Sequence, residues 1–130
     1  MRERFAYAAL AAALTAVVGA SLLPPGSTGI SQAVNNLLHL PVYGAVGLLA
    51  CWALRPWADS PRRRLVAVLA VVGLASWVVE GLQPLVGRSA SLKDLGMNLL
   101  GALLAWLAWY AVGGARERLG RRMSAPAPRG

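Results

Sequence analysis

A histidine and two carboxylic acids lie within or directly before the apolar stretches of this sequence: His39, Glu80 and Asp94. A histidine and two carboxylic acids can together move a proton to or from a substrate and hold the reacting group in its orientation. Ionisable groups within apolar segments carry a large desolvation cost, so they usually serve a function. If the protein is an enzyme, we therefore expect His39 and Glu80 as its acid and base, with Asp94 orienting them.

Five further side chains have the chemistry to bind a ligand near these groups. Arg88 presents a planar guanidinium, which can bond a phosphate or a carboxylate through two nitrogens at once. Uncharged polar groups would add hydrogen bonds to the same ligand, and the sequence offers them at Tyr43, Gln83, Ser91 and Asn98. We interpret these five as candidate ligand-binding residues.

Some of these residues also have a purely structural interpretation. Glu80 could pair with Arg88 or His39 and hold the helices together. The pattern Ser91-x-x-Asp94 directly before an apolar run is typical of a capped helix start, in which the serine side chain accepts a hydrogen bond from the backbone. The sequence alone leaves both interpretations open beside the functional ones.

No metal site is predicted from the sequence. A metal ion needs several His, Cys or acidic ligands at characteristic spacings, and no such spacing occurs here. The one cysteine, Cys51, lies inside an apolar run and is interpreted as a small buried side chain. Nothing in the sequence identifies a cofactor.

The elements that must position these residues are four apolar runs, at 5–23, 37–54, 65–86 and 95–113. Each has about 18–22 residues and would span roughly 27–33 Å as a helix, the thickness of a bilayer core. The alternation of polar and apolar residues that a membrane β-strand needs is missing. We predict an all-α membrane protein, a four-transmembrane-helix bundle over 1–114, followed by a basic, disordered tail over 115–130.

The composition favours a membrane protein over a soluble domain. Hydrophobic residues make up 57% of the 130 residues and charged residues 14%, and the mean hydropathy is +0.54. A soluble chain this short has too little interior to bury so much apolar surface. The net charge of +8 lies between the apolar runs and at the chain ends, so we expect membrane lipids rather than nucleic acid as partners.

The distribution of basic residues predicts the orientation in the membrane. Eleven of the 13 Lys and Arg residues lie near the N-terminus, in residues 55–64 or in the tail, whereas Arg88 and Lys93 lie between the third and fourth runs. Because positive charge concentrates on the cytoplasmic side, we predict an N-in/C-in, multi-pass protein of the cytoplasmic membrane. Cleavage after Ala20 as a signal peptide is the alternative for the first run.

Each of the last three predicted helices has a face that is polar near its outer end and small farther in. These faces contain Asn36, His39, Tyr43, Gly47 and Ala50; Gly73, Ser76, Glu80 and Gln83; and Asp94, Asn98, Gly101, Ala105 and Ala108. Small residues let helices approach closely, and polar side chains bond between helices. We expect these three helices to enclose a polar pocket open to the extracytoplasmic side, with Pro84 ending the third helix just after Gln83.

The order and spacing of the polar residues resemble a known family. The relevant patterns are His39-x-x-x-Tyr43, Glu80-x-x-Gln83, Arg88 and Ser91-x-x-Asp94-x-x-x-Asn98-x-x-Gly101. Over residues 35–101 they resemble the VanZ-like family of small integral membrane proteins, named for a protein associated with teicoplanin resistance. The family often has an Asp-Lys pair just before the histidine, and this chain has Asn35-Asn36 there.

The resemblance implies a membrane protein of the bacterial cell envelope, and three functions fit it. The first is binding of an envelope lipid, a cell-wall precursor or a glycopeptide antibiotic in the outer pocket. The second is an enzyme that acts on an envelope lipid at the outer leaflet. The third is a structural partner of another membrane protein or of a second copy of the chain, since an oligomer is compatible with the polar faces.

Overall fold

A computed structural model describes residues 2–23, 29, 32–58 and 60–123 of the chain. Within these residues all regular structure is helical, as the sequence predicts. The helices are α1 (Arg2–Ser21), α2 (Gln32–Ala53), α3 (Pro61–Leu82), a 3-10 turn (Gln83–Val86) and α4 (Leu92–Met123).

Three of the described helices are long and apolar enough to cross a membrane. They provide the segments Glu3–Ser21, Pro61–Val86 and Leu92–Gly113. The apolar part of α2 is shorter, Leu37–Ala53, and at about 1.5 Å per residue it measures roughly 26 Å, slightly less than a bilayer core. All of α2 has 22 residues, because the helix begins in a polar segment before the predicted start at residue 37.

The end of α3 near Pro84 agrees with the sequence-based prediction, whereas the end of α4 lies farther along the chain than predicted. Because proline has no backbone N–H and restricts the residue before it, α3 ends at Leu82 and the chain continues as a 3-10 turn. In contrast, α4 continues to Met123, beyond the predicted end at 113 and into the segment predicted to be a disordered tail. Residues 124–130 of that tail lie outside the described part of the chain.

Helices that follow each other in the chain run in opposite directions. Phe5 near the start of α1 packs edge-on against Trp52 near the end of α2, with ring centroids 6.0 Å apart. The indole nitrogen of Trp106, in the second half of α4, donates to the carbonyl of Pro61 at the start of α3 (3.1 Å). The bundle therefore has one end where α1 and α3 finish and α2 and α4 begin, which we call the polar end.

The closest approach in the bundle is between α2 and α4, which run parallel. A Cβ built on Gly101 would lie 2.5 Å from the carbonyl oxygen of Leu40, and one built on Gly47 would lie 2.9 Å from the Cα of Ala102. No side chain larger than hydrogen fits at either position without a shift of the backbone. The small residues of the two predicted faces thus meet as expected, and they hold the polar side chains of α2 and α4 side by side.

Many large apolar side chains of the described helices point away from the bundle. Examples on the four helices are Phe5, Leu48, Leu74, Trp77 and Leu107. The buried interior is instead made mainly of small and medium side chains such as alanine and valine. Such an outward apolar surface is typical of helices that face lipid rather than water.

Candidate functional site

Six polar side chains are buried inside the bundle, each at most 8% exposed: His39, Ser76, Glu80, Gln83, Asp94 and Asn98. They come from α2, the end of α3 and the start of α4, and all lie toward the polar end. The sequence named five of them as site residues. It placed the sixth, Ser76, on the inward face of the third helix without giving it a role. Buried polar groups need hydrogen-bond partners, so their contacts show what each one does.

A hydrogen-bonded chain joins three helices through His39, Asn98 and Ser76. The side-chain nitrogen of Asn98 donates to the hydroxyl oxygen of Ser76 (3.0 Å), and its oxygen lies 2.9 Å from Nδ1 of His39. Because the asparagine oxygen faces the ring, we assign the hydrogen to Nδ1. In the neutral ring Nε2 is then the acceptor, and it is the ring nitrogen left for a ligand.

Glu80 connects the end of α3 to the start of α4. One carboxylate oxygen, Oε2, accepts a hydrogen bond from the backbone N–H of Ser91. We orient the side-chain amide of Gln83 so that its nitrogen faces hydrogen-bond acceptors. The nitrogen then donates to Oε2 of Glu80 (3.3 Å) and to the carbonyl of Ser89 (3.1 Å). Glu80 therefore bonds to the connecting segment and to the 3-10 turn that follows its helix, not to Arg88 or His39 as the structural interpretation supposed.

Two buried oxygens of the cluster have no hydrogen-bond partner in the described structure, Oε1 of Glu80 and the hydroxyl of Tyr43. Tyr43 is 1% exposed, and its ring stacks on that of His39 with centroids 6.1 Å apart and an angle of 13° between the planes. The two stacked rings both belong to α2, and Asn98 holds the histidine ring from α4.

The start of α4 is capped as the sequence predicts. The side-chain oxygen of Ser91 accepts a hydrogen bond from the backbone N–H of Asp94 (3.3 Å). Asp94 lies in the first turn of the helix, where the helix dipole stabilises a negative charge. Its side chain is 7% exposed. Ser91 and Asp94 thus have a structural role in this geometry.

Arg88 is positioned by a tight turn after α3. Gly87 adopts a left-handed conformation with φ 74°, and the backbone N–H of Arg88 donates to the carbonyl of Gln83 (3.0 Å). The turn sends the half-buried guanidinium toward α1, where Nη1 donates to the carbonyl of Ser21 (3.4 Å). That contact uses one of five N–H donors, so the group retains donors for a ligand.

Arg88 borders a pocket of about 320 Å³ between α1 and α2. Three predicted site residues line it: His39, Tyr43 and Arg88. The remaining lining residues are Ala16, Val17, Ala20, Ser21, Leu23, Leu38 and Val42. The pocket therefore brings together three of the eight predicted site residues.

This pocket lies at a different place from the one that the sequence analysis expected. We expected a polar pocket enclosed by the second, third and fourth helices. There, His39, Asn98 and Ser76 bond to one another, and Glu80 bonds to the segment after α3, whereas the described pocket lies beside α1. Glu80 and Ser91 instead border a separate cleft of about 270 Å³, with Trp77 and Leu92 among its walls. Asp94, Gln83 and Asn98 line neither of these two cavities.

The contribution of α1 was missed because its sequence gave no polar signal. Its wall consists of alanines, Val17 and the carbonyl of Ser21. An alanine-rich stretch looks the same whether it faces lipid, another helix or a ligand. Within the described residues, no group of three or more His, Cys, Asp or Glu side chains is arranged to hold a metal ion.

A family model described as VanZ/LLP1 matches residues 4–113, which include all four apolar segments and every residue of the pocket. No curated protein and no solved structure matches the chain.

Proposed function

The chain belongs to the VanZ/LLP1 family, and on that premise we propose that it is a multi-pass protein of the bacterial cytoplasmic membrane that binds an anionic envelope component. The candidates are an envelope lipid, a cell-wall precursor or a glycopeptide antibiotic. The ligand would occupy the pocket between α1 and α2, at the outer surface of the membrane. All four helices would cross the bilayer, with both termini in the cytoplasm.

One observation supports this function more than any other: the guanidinium of Arg88 borders an otherwise largely apolar pocket that also contains His39. No acidic side chain is among the described lining residues, so the positive charge is not neutralised inside the pocket. Arginine bonds phosphate and carboxylate groups in the plane of its guanidinium. A few converging polar groups in an apolar pocket are typical of a small-molecule site.

The distribution of charge supports the proposed orientation. The pocket lies at the polar end, together with Arg88. Arg62, Arg63 and Arg64 begin α3 at the opposite end, which the positive-inside rule assigns to the cytoplasm. The polar end would then face outward, where envelope lipids and cell-wall precursors are found.

The geometry favours binding over catalysis. An acid–base mechanism needs its groups within hydrogen-bond reach of one substrate position. Among the three residues expected to be catalytic, only His39 lines the pocket. The carboxylate of Glu80 accepts a hydrogen bond from the backbone N–H of Ser91 and borders a separate cleft, and Asp94 lines neither cavity. A lone histidine and an arginine can hold a ligand without changing it.

Mass spectrometry of the protein released from its native membrane tests this function. The wild type should carry a specific anionic molecule that Arg88→Ala loses. Lys93→Ala is the matched control, because Lys93 is an exposed cation near the same end that does not line the pocket. If the wild type and both variants carry the same background of lipids, the pocket is not a ligand site, and a contact with a partner protein becomes the better interpretation.

A further inference from the structure

The charged group of the pocket lies at one end of the bundle. Arg88 and the carbonyl of Ser21 are at the polar end where α1 finishes, and His39 and Tyr43 line the pocket on the α2 side. Ala16 and Val17, in contrast, lie four to five residues deeper along α1, about 6–7.5 Å at 1.5 Å per residue. A molecule that fills the pocket therefore needs a polar part at the membrane surface and an apolar part toward the membrane core.

The apolar part of the pocket opens sideways toward the position of the lipid. Leu38 and Val42 on the α2 side are 41% and 39% exposed, and Ala16 and Ala20 on the α1 side are also exposed. The alanines leave a cleft between the two helices because their side chains are short. In a bilayer such a cleft is in contact with acyl chains, so a chain can enter it without crossing water.

The size of the pocket limits what can enter. Its volume of about 320 Å³ is at the lower end of the roughly 300–1,000 Å³ that is usual for small-molecule sites. It has room for part of one hydrocarbon chain and one small polar group. A complete glycopeptide or a disaccharide-containing precursor is too large, so only a part of such a molecule would fit.

The polar groups specify the head group of the ligand. Arg88 supplies a positive charge with free donors, which suits a phosphate. Nε2 of His39 is an acceptor in the neutral ring, because Nδ1 is engaged with Asn98. It therefore suits a hydroxyl group next to the phosphate.

We infer that the pocket binds an anionic phospholipid taken from the surrounding bilayer, with its phosphate on Arg88, a head-group hydroxyl on His39 and one acyl chain between α1 and α2. The inference rests on the proposed function and narrows it to a lipid. A protein that binds such a lipid at the outer surface would hold it or present it to another molecule, and neither role needs a covalent step.

Photocrosslinking tests this inference with the full chain in phosphatidylcholine nanodiscs. The probe is phosphatidylglycerol with a diazirine in one acyl chain. Crosslinks should map to residues 16–20 and 38–42, and unlabelled phosphatidylglycerol should compete for them, whereas extra phosphatidylcholine and soluble glycerol 3-phosphate should not. Loss of one charged contact in Arg88→Gln should lower crosslinking about tenfold, and the matched variant Lys93→Gln should crosslink like the wild type.

A second pair of variants tests the acyl-chain cleft. Ala20→Phe fills the cleft and should abolish crosslinking at residues 16–20 and 38–42. Leu104→Phe adds a ring at an exposed apolar position of α4, outside the pocket, and should have no effect. Circular dichroism and gel filtration of each variant confirm that it remains folded.

The outcomes separate the inference from the proposed function. If Ala20→Phe crosslinks like the wild type, or if glycerol 3-phosphate displaces the probe, the acyl chain is not what the cleft binds and the inference is overturned. If crosslinking nevertheless falls in Arg88→Gln, the proposed function would still be supported, with an anionic ligand of another class. If Arg88→Gln also crosslinks like Lys93→Gln, both the inference and the proposed function fail.

Discussion

The side-chain oxygen of Asn98 lies 2.9 Å from Nδ1 of His39, a residue 59 positions earlier in the chain. The contact joins α2 to α4 and, through the bond from Asn98 to Ser76, extends to α3. It also decides the tautomer of the neutral histidine, because the engaged Nδ1 then carries the hydrogen and Nε2 is the acceptor. A structural hydrogen bond and a proposed ligand-binding group are therefore combined in one side chain.

The first prediction concerns the strength of this contact. In a double-mutant cycle of His39→Ala and Asn98→Ala, we expect an interaction free energy of about 0.6 kcal/mol and at most about 1.7 kcal/mol, the range found for hydrogen bonds between membrane helices. Unfolding by SDS in mixed micelles measures it. Lys93→Ala, combined with His39→Ala as a control pair, should show additive effects. Additivity in the His39–Asn98 cycle itself would contradict the bond.

The second prediction concerns the close packing of α2 and α4. Gly101→Ala places a methyl group 2.5 Å from the carbonyl oxygen of Leu40. Because backbone atoms must move, we expect the free energy of unfolding to fall by about 1–3 kcal/mol. Gly96→Ala is the matched control on the same helix, since nothing lies within 4 Å of its added Cβ. It should be neutral or stabilising by up to about 1 kcal/mol. Equal effects of the two variants would show that the helices do not pack as described.

The third prediction concerns the start of α4. Ser91→Ala removes the side-chain acceptor for the backbone N–H of Asp94. We expect a loss of about 0.5–2 kcal/mol in the free energy of unfolding, the usual effect of removing a helix cap. Ser89→Ala leaves every described side-chain contact intact, because Ser89 contributes its backbone carbonyl alone. Chemical denaturation of the two variants under the same conditions separates the cap from a general effect of serine loss.

The fourth prediction concerns orientation in the membrane. In a Cys51→Ala background, single cysteines replace Lys93, near the polar end, and Arg62, near the opposite end. If the polar end faces outward, a membrane-impermeant maleimide should label Lys93→Cys in intact bacterial cells and Arg62→Cys only after permeabilisation. Labelling in the reverse order would place the proposed pocket on the cytoplasmic side and contradict the proposed orientation.

The sequence was sufficient wherever one local rule decides the structure. Apolar runs of membrane-spanning length predicted the helices, Pro84 predicted the end of α3, and Ser91-x-x-Asp94 predicted the cap of α4. The faces of α2 and α4 were predictable for the same reason, since the helical period of 3.6 residues brings small and polar residues onto one side. Each of these features depends on residues close together in the chain.

The sequence was not sufficient to predict features that depend on which distant group each side chain contacts. Glu80 could have bonded to Arg88 or His39, and its place next to the N–H of Ser91 depends on the course of the chain after Gly87. The end of α4 was also missed, because the loss of hydropathy after residue 113 marks the end of an apolar segment and not the end of a helix. Backbone hydrogen bonds continue in a polar helix as well.

By itself, the sequence determined the helical class, the apolar segments, the capped start of α4 and the set of polar residues near one end. These follow from local hydrogen bonding, helical periodicity and the cost of burying charge. The tertiary structure alone decided that α1 forms a wall of the pocket, that Arg88 turns toward it and that Glu80 turns away. The partners that buried polar groups find, and the cavities that remain beside them, depend on packing among distant segments and not on the spacing of residues along the chain.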